Sequence, residues 1–219
     1  MLELKNVSHS YEEDVKTLEN VSLRVERGQA VAIVGANGSG KTTLLKLLNG
    51  LIFPTSGVYE FDGAPITRKA LADAKFAKSF HRRIGFVFQN ADAQLFCGSV
   101  EDEIAFGPRQ LNFTEEEIRR RVDDCLELLE ITRLRRRAPY ALSGGEKRRV
   151  AFACVLAVNP EVLVADEPLA SLDESGRNLV VGLFKTLRSA GKTLLFASHN
   201  EALVSEIADF RFNVEAPGA

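Results

Sequence analysis

Apolar and polar positions follow two patterns along the chain, and each pattern predicts a different kind of strand. Residues 2–7 and 21–25 alternate with a period of two, which predicts antiparallel strands with one exposed face. Uninterrupted apolar runs instead predict strands that are buried on both faces of a parallel sheet. Four such runs cover residues 31–34, 84–88, 162–165 and 193–198. We therefore expect an α/β fold with a mostly parallel sheet and an N-terminal antiparallel β subdomain.

Amphipathic helices interrupt this order between the second and third apolar runs. A short acidic helix is expected to stop at Gly107-Pro108, a second helix begins at the capping residue Thr114, and a third covers residues 147–158. No strand is predicted among these helices. We therefore expect a helical subdomain over residues 91–158, inserted into a single domain that spans residues 1–219.

The overall charge excludes some classes of partner. With a net charge of -2 and a pI of about 6.0, the chain has no general basic field, so we expect no nucleic-acid partner. Basic residues cluster locally at residues 82–83, 119–121, 133–137 and 147–149. We interpret each cluster as a solvated helix face or an anion contact, with a nucleic-acid contact as the less favoured option. The sequence also lacks a signal peptide and an uncharged apolar run of ~18 residues, which predicts a cytosolic chain able to dock on a membrane partner.

A glycine-rich segment follows the first apolar run. Residues 35–42, GANGSGKT, fit the pattern G-x-x-x-x-G-K-[ST], and leucines continue from there at helical spacing. Glycines let successive backbone N–H groups turn toward phosphate oxygens at the positive end of the next helix. Lys41 would reach the β- and γ-phosphates, and the Thr42 hydroxyl would bind Mg²⁺. This motif predicts a nucleoside triphosphate site, which kinases, GTPases, helicases and transport motors share.

The other apolar runs also end on polar residues, as expected where ligands bind in α/β sheets. Gln89 follows the second run, Asp166 and Glu167 follow the third, and His199 follows the fourth. Adjacent strand residues point in opposite directions, so we assign the two acids different roles: Asp166 near Mg²⁺, and Glu167 toward the γ-phosphate and a water. His199 is a candidate γ-phosphate sensor, although a lone histidine is more often structural.

Two further features allow more than one interpretation when taken alone. Tyr11 lies in a polar segment, where packing at a strand edge is favoured over a platform for a nucleobase. Ser143, Gly144 and Gly145 precede a helix and predict either a second anion site or an ordinary helix cap, with equal support.

Taken in order, these segments resemble the motifs of an ABC transporter ATP-binding subunit. Tyr11 resembles the A-loop residue, GANGSGKT the Walker A motif, Gln89 the Q-loop, and LSGGE at residues 142–146 the signature. VLVADEP at residues 162–168, SLD at 171–173 and His199 resemble the Walker B motif, D-loop and H-loop. The resemblance covers nearly the whole chain and implies a P-loop NTPase core. It also implies two copies, or one copy and a sister ATPase, that close head to tail on two ATP molecules.

The resemblance assigns residue roles in three groups. For binding ATP it implies Tyr11, Gly35, Ala36, Asn37, Gly38, Ser39, Gly40, Lys41, Thr42 and Thr43, with Tyr11 stacked on adenine. For hydrolysis it implies Glu167 as general base with His199, Gln89 and Lys41, and Mg²⁺ held by Thr42, Gln89 and Asp166. For contacts with the nucleotide of the other subunit it implies Ser143, Gly144, Gly145, Glu146, Ser171 and Asp173.

A narrower resemblance concerns residues 88–108 and the segment LSGGEKRRVAFACVLA, which are similar to those of energy-coupling-factor and cobalt/nickel importer ATPases. It implies a peripheral ATPase at the cytoplasmic face of the cell membrane, working with a transmembrane coupling subunit and a separate substrate-capturing membrane subunit. Gln94, Leu95 and Phe96 would lie where the transmembrane subunit docks, or simply pack the helical subdomain. The alternative is a soluble ABC ATPase that acts on nucleic acid or ribosomes, and an exporter is a third, less favoured option.

Overall fold

The computed structural model describes residues 1–12 and 15–217. The strands are β1 (Leu2–Glu12), β2 (Val15–Val25), β3 (Ala30–Val34), β4 (Ser56–Phe61), β5 (Ala64–Pro65), β6 (Ile84–Val87), β7 (Val162–Asp166), β8 (Thr193–Ala197) and β9 (Phe210–Asn213). The helices are α1 (Lys41–Leu48), α2 (Arg68–Ala72), α3 (Ala74–Arg83), α4 (Val100–Gln110), α5 (Glu115–Leu128), α6 (Gly144–Leu156), α7 (Glu174–Ser189) and α8 (Glu201–Ile207).

The N-terminal part forms an antiparallel sheet with the strand order β2-β1-β4-β5. Its buried face presents apolar side chains such as Leu4 and Phe61. These side chains share a core with α1 and with Val31 and Ile33 of β3. The antiparallel sheet therefore covers α1 and one face of the second sheet, which brings β1 and β2 close to the start of α1.

The second sheet has the order β6-β7-β8-β3-β9, and all of its strands are parallel. β7 and β8 are buried along their whole length, as uninterrupted apolar runs predict. The opposite face packs against α4, α5, α6 and α7 in a continuous apolar core. This architecture confirms the predicted α/β class with an antiparallel N-terminal sheet and a parallel sheet. The short strand β9 was not predicted from the sequence.

The segment between β6 and β7 contains only helical elements among the described residues. Thr114 caps α5 and forms the predicted capping box with Glu117. The expected stop at Gly107-Pro108 is wrong, because α4 continues to Gln110 with Pro108 inside it. The N–H groups of Leu111 and Phe113 bond to the carbonyls of Gly107 and Pro108, which carries the backbone bonding past the proline. Whether residues 91–158 act as a separate subdomain stays a prediction.

The third predicted helix begins earlier than expected. α6 starts at Gly144, directly after Ser143, and ends at Leu156. Two adjacent glycines disfavour a helix in the unfolded chain, but the cap at Ser143 and burial of the following turns outweigh that cost. None of the helices among residues 1–12 and 15–217 is long and apolar enough to cross a bilayer.

Candidate functional site

The glycine-rich loop connects β3 to α1 at the carboxyl edge of the parallel sheet. Gly40 has a φ of 102° and is the N-cap residue of α1. A Cβ atom at Gly40 would lie 2.6 Å from the carbonyl oxygen of Thr17, so only glycine fits there. The Lys41 ammonium group donates to the carbonyl oxygens of Gly35 at 2.9 Å and Ala36 at 2.8 Å. Because an ammonium group has three donors, one remains for a ligand oxygen.

A cavity of about 270 Å³ opens beside this loop. Its lining consists of Thr17, Asn37, Gly38, Gly40, Lys41, Thr42, Thr43, Gln89, Asp166, Glu167 and His199. All of them except Thr17 follow β3, β6, β7 or β8, whose carboxyl ends meet at one edge of the sheet, where ligands bind in this class of fold. Thr17 on β2 is the lining residue that the sequence analysis missed, since nothing in its spacing places β2 against the loop.

Hard oxygen atoms converge in the cavity between α1 and β7. The Thr42 hydroxyl donates to Asp166 Oδ2 at 2.7 Å, and Asp166 is buried at the end of β7. Gln89 lines the same cavity. Oxygen atoms of this kind suit Mg²⁺, which usually takes one or two protein carboxylates together with phosphate oxygens and water. No cluster of three or more His, Cys, Asp or Glu side chains that would hold a metal alone occurs in the described residues.

Glu167 is placed in the cavity by an unusual backbone conformation. It lies just beyond β7 with a φ of 47°, and its N–H group donates to the carbonyl of Ala197 at 2.9 Å. Strand alternation therefore ends at Asp166. It does not point the two acids away from each other, and both line the same cavity. Their different roles stay a prediction.

The Glu167 carboxylate has an acceptor without a hydrogen-bond donor. Its Oε1 atom is buried and has no hydrogen-bond partner in the described part of the chain. His199 Nε2 approaches Oε1 to 3.5 Å, but without the alignment of a hydrogen bond. The carboxylate as a whole lines the cavity, where a general base could take a proton from a water molecule.

Tyr11 lies outside the cavity lining but contacts it. Its hydroxyl is 3.4 Å from the hydroxyl of Thr43, which lines the cavity. The ring of His9 meets the Tyr11 ring edge-on, with 4.8 Å between their centroids. The Tyr11 side chain is nevertheless 58% exposed, so the ring is accessible to a stacking partner.

The predicted contacts to a second subunit form a separate exposed surface. The Ser143 hydroxyl accepts from the Glu146 N–H at 3.2 Å, and the Glu146 carboxylate accepts from the Ser143 N–H at 3.0 Å. The Ser143 N–H, with help from Arg133, holds the pKa of Glu146 below its usual value. A Cβ atom on Gly144 would lie 3.3 Å from Cβ of Ser171. The two predicted interface segments therefore lie side by side, and neither lines the cavity.

Asp173 and the remaining loop residues have local structural roles as well. The Asp173 carboxylate caps α7 by accepting from the Gly176 N–H at 2.8 Å. Ser39 is buried behind the glycine-rich loop, and its hydroxyl has no hydrogen-bond partner among residues 1–12 and 15–217. A Cβ atom on Gly35 would lie 2.7 Å from that hydroxyl. Ser39 therefore packs the loop from behind, while Asn37 and Gly38 line the cavity itself.

One basic cluster was interpreted wrongly from the sequence. Residues 147–149 were expected on a solvated face or at an anion, but Arg148 is only 2% exposed. Its guanidinium donates to the carbonyl of Phe88 at 2.5 Å and also to the carbonyl of Gln89. Burial lowers the pKa of Arg148, although Asp166 and Glu167 oppose this effect. The helical period leaves one side of α6 against the sheet, and Arg148 lies on that side.

The three residues predicted to dock a membrane partner differ in accessibility. The Gln94 side chain is used inside the fold, since it accepts from the Phe88 N–H at 3.2 Å and donates to the Ala151 carbonyl at 3.1 Å. Leu95 packs against the core. Phe96 is 67% exposed, and its ring meets the ring of Phe106 edge-on. Phe96 and Phe106 thus form an exposed aromatic pair.

Comparison with known families and proteins shows which family this chain belongs to. The family described as "ABC transporter" matches residues 18–170. The chain is 48% identical over 209 residues to the nickel import ATP-binding protein LarO of Lactiplantibacillus plantarum, covering 95% of this chain and 86% of LarO. It is 43% identical over 211 residues to the energy-coupling factor transporter ATP-binding protein EcfA of Methanoculleus marisnigri, covering 96% of this chain and 74% of EcfA.

Solved structures show the same fold. A dimeric structure of the ATP-binding cassette MJ0796, in a post-hydrolysis state bound to ADP and Pi, has a TM-score of 0.89 and 30% identity, covering 98% of this chain and 94% of that chain. The structure of cbiO1 from Clostridium perfringens, part of the ABC transporter complex cbiONQ, has a TM-score of 0.82 and 35% identity, covering 98% and 84%. The structure has the phosphate-binding loop, the paired acids Asp166 and Glu167, and a separate exposed surface around Ser143 and Ser171, here called the signature surface. The chain belongs to the ABC transporter family and is an ATP-binding subunit with ATPase activity.

Proposed function

We propose that this chain is the ATP-hydrolysing motor of an energy-coupling-factor type importer. It would dock at the cytoplasmic face of the membrane and power uptake of a cobalt or nickel ion, or of a vitamin, through a separate transmembrane subunit. A further membrane subunit would capture the cargo. One observation carries the proposal: the predicted nucleotide contacts divide between two surfaces, the cavity and the signature surface around Ser143. Each chain would then supply one half of each of two nucleotide sites. The names of the nickel-import and energy-coupling-factor relatives support the importer class.

The cavity residues supply the chemistry of hydrolysis in this proposal. Lys41 and the backbone N–H groups of the glycine-rich loop bind the phosphates, and Tyr11 stacks on the adenine. Thr42, Asp166 and Gln89 hold Mg²⁺, which neutralises negative charge on the phosphate oxygens when it is bound with ATP.

Proton transfer falls to the groups at the far end of the cavity. Glu167, which lines the cavity, accepts a proton from the attacking water through its carboxylate. His199 Nε2 lies 3.5 Å from Glu167 Oε1 and orients the γ-phosphate opposite it. Positioning and charge stabilisation account for most of the catalysis in phosphoryl transfer, so these fixed groups suffice.

A second ATPase subunit, identical or a sister chain, completes each site. In the described part of the chain, the N–H groups of Gly144 and Gly145, at the exposed start of α6, donate no hydrogen bond. These donors and the positive end of the helix dipole fit the γ-phosphate of a nucleotide held by the other subunit. The Ser171 segment beside them contacts the same partner. Hydrolysis then depends on closure of the two subunits.

The transmembrane subunit docks on the exposed aromatic pair of Phe96 and Phe106. Both rings are large, apolar and accessible, and they lie at the start of the helical segment. The alternative, a soluble ATPase that acts on nucleic acid or ribosomes, is not favoured by the relatives or by a net charge of -2.

Uptake by cells tests the motor role directly. In cells that lack this chain, uptake of radiolabelled nickel, cobalt and vitamins is compared with uptake in the parent cells. We expect the wild-type chain to restore uptake of one cargo and Glu167→Gln to restore none. Glu116→Gln, an exposed change on α5, serves as the matched control and should behave like wild type. Unchanged uptake of every cargo in the deletion cells, with the chain bound to ribosomes, would contradict the proposal.

A further inference from the structure

A buried arginine connects the signature helix to the Gln89 loop. Arg148 lies on the second turn of α6, and α6 begins at the surface proposed to contact the partner's nucleotide. Its guanidinium donates to the carbonyls of Phe88 and Gln89, directly after β6. The Arg148 side chain therefore connects α6 to the segment after β6, and it does so by binding backbone carbonyls rather than another side chain.

Two more contacts join the same elements. Gln94 accepts from the Phe88 N–H and donates to the carbonyl of Ala151 on α6, at 3.2 Å and 3.1 Å. The Lys147 ammonium group forms an ion pair with Asp92 at 2.5 Å. Residues 88–94 are thus fixed to α6 at several points, and Arg148 contacts Gln89, which lines the cavity.

The environment of Arg148 is costly for an arginine that only fills space. The side chain is buried, and its Nε atom has no hydrogen-bond partner within residues 1–12 and 15–217. No ion pair with Arg148 is found in that range, and the carboxylates of Asp166 and Glu167 offset only part of the cost of burying its charge. An apolar side chain would avoid that cost. The two carbonyl contacts indicate what the arginine achieves there: they fix the backbone of Phe88 and Gln89.

We propose that Arg148 is a positioning residue for ATP hydrolysis: it holds the Gln89 backbone against α6 and so sets the position of the Gln89 side chain relative to Glu167. Gln89 and Glu167 line the same cavity. The pairing of β6 with β7 fixes the position of the strand that leads into Glu167. A shift of α6 moves Arg148 and, through it, Gln89. Arg148 therefore also couples the signature surface to the cavity of its own subunit. This inference rests on the proposed roles of Gln89 and Glu167.

The test compares three substitutions in the full chain. Arg148→Met keeps the length of the side chain but removes its donors, and Arg148→Lys keeps the charge with a single donor group. Arg120→Met, on an exposed position of α5, is the matched control. For Arg148→Met we expect kcat to fall at least about tenfold, because misplacing a catalytic group by ~1 Å can cost up to about 100-fold. The KM and the affinity of Arg148→Met for ATP should stay close to those of wild type. The kcat of Arg148→Lys should lie between those of Arg148→Met and wild type.

A double-mutant cycle separates positioning from general destabilisation. If Arg148 acts through Gln89, then in the Gln89→Ala background Arg148→Met lowers kcat no further. Additive losses, or an unchanged kcat in Arg148→Met, would overturn the inference. Amide exchange gives a readout that needs no turnover: peptides covering residues 88–94 should exchange faster in Arg148→Met, while those covering β7 and β8 should not.

The same cycle with Arg148→Lys decides the question if the methionine variant does not fold. Unchanged exchange at residues 88–94 in a folded variant counts against the inference. Neither measurement involves a membrane subunit or a cargo. A chain that fails to restore uptake in cells but passes the cycle would refute the importer role and leave the role of Arg148 standing.

Discussion

The candidate site contains one residue in a costly conformation. Glu167 has a φ of 47°, and a residue with a Cβ atom pays about 1–2 kcal/mol in this left-handed region. Strain of this kind persists only where the surroundings enforce it, and here the Glu167 N–H is fixed to the carbonyl of Ala197 on β8. The gain is geometric: leaving the strand at Asp166 lets two consecutive acids reach one cavity, where one meets Thr42 and the other faces His199.

Replacing Glu167 by glutamine isolates its role as a base. Glu167→Gln keeps the size and shape of the side chain but removes the acceptor charge, so ATP binding should be retained. Turnover should fall by about 10²- to 10⁴-fold, equivalent to about 2.7–5.4 kcal/mol of activation free energy. Single-turnover hydrolysis and equilibrium ATP binding are the measurements, with Glu116→Gln on α5 as the control. Turnover within a factor of two of wild type would remove Glu167 from this role.

Most of the cavity lining could be predicted from single residues, and the reason is topological. A polar residue after a buried apolar run must lie at the carboxyl edge of a parallel sheet, so Gln89, Asp166 and His199 were expected to meet. Thr17 could not be found this way, because its place depends on how the antiparallel sheet packs over α1. Arg148 was missed because it stands in a run of three basic residues, and only the packing of α6 decides which of them is buried.

At the scale of elements, α5 and α6 offer a matched pair. Both helices begin with a capping box, Thr114 with Glu117 on α5 and Ser143 with Glu146 on α6. The boxes are chemically alike, so each contributes about 0.5–2 kcal/mol to its helix. Their surroundings differ, since only the start of α6 lies beside Ser171 on the proposed partner surface. A change made at both caps therefore separates helix capping from contact with a partner.

Arginine at Ser143 should block closure of the two subunits. Ser143→Arg removes one cap and places a large cation where the partner's nucleotide would approach, whereas Thr114→Arg removes an equivalent cap elsewhere. Both variants should lose similar thermal stability and bind ATP as monomers. Only Thr114→Arg, combined with Glu167→Gln, should form dimers with ATP and Mg²⁺, as measured by size exclusion with light scattering. Loss of ATP binding by the Ser143→Arg monomer would contradict a site shared between subunits.

The boundaries of elements were less predictable than their existence. Capping boxes and apolar runs placed α5 and the buried strands correctly, because those signals are local. Gly107-Pro108 was expected to end α4, but backbone bonds beyond the proline and packing of Ile104 and Ala105 carry the helix to Gln110. The strand β9 has only four residues, alternates in exposure, and becomes a strand by pairing with β3. Tertiary contacts decide such cases.

The whole molecule carries the two surfaces proposed to contact nucleotide on different elements. The cavity lies at the edge of the parallel sheet, and the signature surface lies at the start of α6 with the loop before α7. A pair of identical chains related by a two-fold axis can satisfy both surfaces at once, since each cavity then meets the other chain's signature surface. The contacts of Arg148 link α6 to the carbonyls of Phe88 and Gln89 within a chain, so we expect closure at one site to be transmitted toward the other.

Mixing two inactive variants tests this arrangement at the scale of the assembly. Lys41→Ala destroys the cavity of its own chain, and Ser143→Ala removes the hydroxyl from the signature surface of its own chain without adding the bulk that blocks closure. If each site is built from two chains, a mixed dimer has one site with both defects and one site with neither. Equal mixing with random pairing should then restore up to about a quarter of the wild-type turnover per chain, because half of the dimers are mixed and each has one intact site.

If each site is built within one chain, no mixed dimer contains an intact site, and the mixture stays as inactive as its components. Steady-state ATPase assays of the two variants alone and together distinguish these outcomes, with a mixture of Lys41→Ala and Glu167→Gln as the control, because both defects lie in the cavity and each spoils a different site of the mixed dimer.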